Sequence, residues 1–63
     1  MPIVHVEMWP GRTHEQKAQL VKAITDDMVR ILNCPPEAVT IVITDVAKEN
    51  WAKGGVLASD QQQ

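Results

Sequence analysis

A length of 63 residues, 44% of them hydrophobic, with a formal net charge of −2, describes a small folded chain and gives no electrostatic footprint for a nucleic-acid partner. A monomer of this size buries only about 60% of its unfolded surface, and a single cysteine, Cys34, excludes an intrachain disulfide. No paired Cys and His suggest zinc, so association with further copies is the remaining way to enlarge the core.

The opening MPIVHVEMW lacks the basic and long apolar stretches of a secretory leader, and a cytoplasmic protein is expected. Ile3 to Trp9 reads instead as a strand. Ile3, His5 and Glu7 fall on one face and Val4, Val6 and Met8 on the other. Pro2 cannot donate to a ladder, a defect that is harmless at the first residue of a strand. Removal of Met1, which a small second residue permits, would leave Pro2 as a free secondary amine. The turn signal Pro10-Gly11 ends the strand.

Thr13 followed by Gln16 fits a capping box, and Glu15 places negative charge at the positive end of the helix dipole. Leu20, Val21, Ile24, Met28, Ile31 and Leu32 then recur at helical spacing on one face, with Lys17, Lys22, Asp26 and Arg30 off it. Asn33 is a fair left-handed cap, and Pro35-Pro36 forbids continuation. No apolar run approaches the roughly 20 residues of a membrane span, so no membrane partner is expected.

Val39 to Asp45 is the second strand. Its consecutive Ile41, Val42 and Ile43 predict burial on both faces. One helix covers only one face of a two-stranded sheet, so the other should meet another subunit. Strand, helix, strand predicts parallel strands joined by a right-handed crossover. Gly54-Gly55 then predicts a short hairpin or arm between Trp51 and Val56-Leu57 that packs on a neighbour, followed by a frayed polar end. The expected fold is α+β: a single domain over residues 1–63 with a β-α-β protomer, a C-terminal hairpin or arm, and an oligomeric state.

A terminal secondary amine, a nearby cation and apolar walls together make a base suited to moving protons to and from carbon. Burial and a neighbouring positive charge both disfavour the protonated amine, and a base with a pKa near ambient pH is efficient. Pro2, Arg12 and the pair Trp9 and Trp51 supply these parts. His5 and His14 read as strand-face and helix-start residues, Glu7 as an exposed strand carboxylate, and Cys34 as a small packed or part-exposed thiol.

With those residues, the initial MPI, the stretch GRTHEQKAQL, the strand and exit VTIVITDVAKENW, and GG followed by LAS, the chain resembles the 4-oxalocrotonate tautomerase family over nearly its whole length. The resemblance implies a β-α-β protomer paired into a four-stranded sheet and commonly assembled as a hexamer, with dimer or trimer as alternatives. It implies catalysis without metal or cofactor, in which the amino-terminal proline serves as base and then acid during keto–enol conversion of a small unsaturated 2-oxo acid.

Residue by residue, Pro2 matches that proline and Arg12 matches the arginine that holds a substrate carboxylate. Trp51 falls where a phenylalanine commonly walls the pocket, and Trp9 on an apolar position that lines it. Thr40 stands where the best-known members carry a second arginine, and Lys53 where a small apolar residue is more usual. A neutral threonine predicts weak activity on diacids and a preference for mono-acids held by Arg12 alone. Hydration or dehalogenation of an unsaturated acid is the alternative chemistry, with Glu7 as its candidate water-activating carboxylate. A retained Met1 would favour a non-catalytic binding module.

Overall fold

The computed structural model describes residues 1–61. Strand β1 (Ile3–Met8) is followed by helix α1 (His14–Leu32) and strand β2 (Thr40–Asp45). A hairpin of β3 (Ala52–Lys53) and β4 (Val56–Leu57) comes next. β1 and β2 pair in parallel, with Ile3 opposite Thr40 and Met8 opposite Asp45. Single 3₁₀ turns occupy Pro36–Ala38, Lys48–Asn50 and Ala58–Asp60. The last of these stands where a frayed end was expected; Gln62 and Gln63 lie outside the described residues.

Helix α1 starts and stops on local chemistry. The Thr13 hydroxyl accepts from the Gln16 N–H at 3.1 Å, and the Gln16 side-chain carbonyl accepts from the Thr13 N–H at 2.9 Å. At the far end Asn33 adopts the left-handed conformation (φ 58°, ψ 50°), and its N–H donates to the Val29 carbonyl at 3.0 Å. Removing a cap of this kind costs about 1 kcal/mol. Thr13→Ala is therefore expected to lower the thermal midpoint by several degrees at fixed protein concentration. An unchanged melt would show that the cap adds nothing.

Val4, Val6 and Met8 of β1 and Ile41 and Ile43 of β2 are half-buried, whereas Ile3, His5, Glu7, Thr40, Val42 and Thr44 are exposed on the opposite face. The expected burial of both faces is thus met on one side only within a chain. The apolar stripe of α1 is also rotated from the expected one. Lys17, Val21, Ile24, Thr25, Met28 and Val29 are half-buried, while Leu20, Ile31 and Leu32 are exposed. Lys17 was expected off the stripe. Its apolar stem follows the inner face, and its ammonium reaches Asp45 at the end of β2, 2.9 Å away.

The hairpin turns on two residues. Gly54 (φ 62°) and Gly55 (φ 82°) both take left-handed backbone, which is what a two-residue turn matched to strand twist requires. The Ala58 N–H donates to the Trp51 carbonyl at 2.7 Å and folds the tail back over Trp51. Ala58 is the one residue among those described that counts as buried.

Candidate active site

Parallel pairing puts the starts of both strands at one end of the sheet. Pro2 is half-buried there, and its carbonyl accepts from the Thr40 N–H at 3.1 Å. Met1, by contrast, is 93% exposed. The sequence-predicted residues Pro2 and Thr40 are therefore neighbours, joined by the first rung of the ladder.

Trp9, Arg12 and Trp51 gather at the other end. The Val46 N–H donates to the Met8 carbonyl at 2.8 Å, carrying the pairing to the last residue of β1. Beyond it the two indoles meet edge to face, with ring centroids 5.9 Å apart and an interplanar angle of 75°, a geometry the aromatic quadrupoles favour. The Lys48 ammonium lies 4.8 Å from the centroid of the Trp9 ring, close enough for a cation–π contact. Trp9, Trp51, Lys53, Ala58 and Gln61 line a cleft of about 300 Å³. A second groove, about 230 Å³, is lined by Met8, Arg12, Gln16, Lys17 and Leu20. Trp9 of the cleft and Arg12 of the groove are separated in sequence only by Pro10-Gly11 and are carried by the same turn.

Six residues of β1 at roughly 3.3 Å each hold the two ends about 20 Å apart. Within one chain Arg12 is consequently not the cation beside Pro2. Glu7, the carboxylate that water activation would need, lies on the open face of the sheet opposite Thr44. His5 is on the same face, and His14 is exposed at the start of α1. The Cys34 thiol is half-buried, 3.9 Å from the Met28 carbonyl. Among the described residues no three His, Cys, Asp or Glu side chains converge as a metal site, and no helix is long and apolar enough to cross a membrane.

The ion pairs sort the cations. Lys17 pairs with Asp45, Lys22 with Asp26 at 3.0 Å, and Arg30 with Asp27 at 3.3 Å. Among the described residues Arg12, Lys48 and Lys53 have no carboxylate partner. Arg12 and Lys53 line the two grooves at the tryptophan end, and Lys48 lies over Trp9. Sequence reasoning passed over Lys48. Its only signal is a position three residues before Trp51, which a single 3₁₀ turn converts into proximity.

The family model described as tautomerase enzyme matches residues 2–61. A probable tautomerase of Lactiplantibacillus plantarum is 37% identical over 62 residues, covering 98% of this chain and 97% of that protein. A 2-hydroxymuconate tautomerase of Pseudomonas putida is 37% identical over 59 residues, 94% of each chain. Among solved structures, a 4-oxalocrotonate tautomerase homologue superimposes with a TM-score of 0.90 at 36% identity over 100% of both chains. A heterohexameric 4-oxalocrotonate tautomerase from Chloroflexus aurantiacus gives a TM-score of 0.90 at 27% identity, covering 98% of this chain and 100% of that one. The β-α-β fold and the sequence agree over nearly the full length, and the chain is an isomerase belonging to the tautomerase enzyme family.

Proposed function

We propose that this tautomerase converts a small unsaturated 2-hydroxy acid to its 2-oxo form, and back, with Pro2 as the proton carrier once Met1 is removed. The nitrogen takes the 2-hydroxyl proton and returns it to a carbon of the conjugated chain. One O–H bond breaks, one C–H bond forms, and no group leaves. The observation that carries this reading is the contrast at the amino terminus. Met1 is almost wholly exposed and open to removal, while Pro2 behind it is half-buried and pinned to Thr40.

The split between the two ends of the sheet supports an assembly as the working unit. Pro2 and Thr40 of one protomer would meet Arg12, Trp9 and Trp51 of another. The isolated chain supports this reading, since it exposes 5086 Å², whereas a folded monomer of its mass exposes about 4,000 Å². Its radius of gyration is 14.9 Å, against about 11 Å for a compact chain of its length. Ile3, Ile31, Leu32, Val42, Val56 and Leu57 are at least 40% exposed. The homo-oligomer is proposed to be a cytoplasmic hexamer, as the heterohexameric relative is six-chained. Sedimentation is expected to give a multiple of the 7.0 kDa chain, and a folded monomer at micromolar concentration would defeat the proposal.

Subunit mixing tests the composite site directly. Protein with a blocked Pro2 and protein carrying Arg12→Ala are each expected to be nearly inactive. Unfolded together and reassembled, they should regain a substantial part of the wild-type rate, because some interfaces then pair an intact Pro2 with an intact Arg12. No recovery in verified mixed oligomers would exclude a site shared between copies.

A further inference from the structure

Among the described residues three cations are left without a carboxylate at the tryptophan end, and they do not have equal freedom. Arg12, whose planar fork suits a carboxylate, belongs to the groove beside α1. Lys48 is engaged over the Trp9 ring. Among the described residues Lys53 is neither paired nor stacked, and it lines the same cleft as the two indoles. Its backbone is set by pairing with Val56 across the Gly54-Gly55 turn, so the ammonium hangs from a fixed point on a flexible stem. Glu49 and Asp60 belong to the flanking 3₁₀ turns, and neither forms an ion pair with Lys53.

We propose that Lys53 is the counter-charge for a second carboxylate, so that the Trp9–Trp51 cleft selects flat conjugated diacids. The inference rests on the tautomerase reading and deepens it. The edge-to-face indole pair gives the cleft an apolar side for a conjugated chain, and a carboxylate carried into such a cleft is costly without a positive partner. Lys53 provides one, and the Gln61 side-chain amide, on the same cleft, can add a neutral donor. Thr40, at the strand-start end, does not carry this charge. On this proposal the hairpin favours diacids, against the mono-acid preference expected from position 40.

The test has a catalytic and a non-catalytic arm. kcat/KM is compared for matched unsaturated 2-hydroxy mono- and diacids in the wild-type oligomer, Lys53→Met and Lys53→Arg. In parallel, binding of terephthalate and benzoate is followed by tryptophan fluorescence in oligomer with Met1 retained, with and without Lys53→Met. Lys53→Met is expected to cut the diacid-to-monoacid ratio about tenfold or more in both arms, the size of one charged hydrogen bond, while Lys53→Arg keeps it. A ratio that Lys53→Met leaves unchanged in the binding arm overturns the proposal. Absence of turnover in every protein overturns the proton-transfer reading instead, and the binding ratio still decides the role of Lys53.

Discussion

Protein that retains Met1, or whose Pro2 nitrogen is acetylated, is expected to turn over substrate at least about 10³-fold more slowly than the processed protein. The size follows from general acid–base catalysis, which contributes about 10²–10⁴-fold. An amide nitrogen shares its lone pair with the carbonyl and accepts no proton, so blocking removes the base without disturbing the fold. Pro2→Ala leaves a primary amine and should keep a fraction of the rate. The free amine is the working form of the base, so kcat/KM should rise as pH climbs through the Pro2 pKa. Half-burial, together with the cation that the proposed assembly would bring from another protomer, would disfavour the charged amine, and the rise should come at lower pH than for an exposed proline terminus. Intact mass identifies which form is assayed. Full activity with Met1 present would remove Pro2 from the mechanism.

Arg12→Ala is expected to lower kcat/KM by about a hundredfold, the effect of losing two charged hydrogen bonds to one carboxylate. Most of the loss should fall on KM, with a smaller fall in kcat as the acid loses its alignment. Arg12→Lys keeps the charge but not the fork and should recover only part of the affinity. The variant should fold normally, since Arg12 forms no ion pair among the described residues and lies outside α1. Steady-state kinetics on a carboxylate substrate read the effect. An unchanged KM would show that the acid is gripped elsewhere, with Lys17 of the same groove the next candidate.

The elements were legible wherever a local rule decides them. The Thr13–Gln16 box, the left-handed Asn33 and the Gly54-Gly55 turn each fix a boundary through backbone chemistry that neighbours in sequence supply. The rotation of the helix stripe was less visible, because Lys17 counts as polar by type yet lays its stem on the sheet and its charge on Asp45, 28 positions away. The 3₁₀ turns escaped because three residues are too few for a period. Of the candidate site, the residue types were readable and their grouping was not. Pro2 and Arg12 are ten positions apart and invite pairing, but an extended strand between them holds them at opposite ends. Lys48 gained meaning only from the structure, whereas Lys53 already stood out in the sequence as a departure and the structure added its place on the cleft.

The bond from the Thr40 N–H to the Pro2 carbonyl also bears on aim. Chain ends usually fray, and a reactive amine on a frayed end would spend most of its time facing the wrong way. Here the pyrrolidine ring locks rotation about N–Cα, and the ladder bond restrains rotation about Cα–C. Little torsional freedom then remains to be lost in the proton transfer proposed for it. Alanine at the same place would keep the restrained carbonyl but free the amine to spin. Its deficit should therefore persist even at a pH where both amines are fully deprotonated.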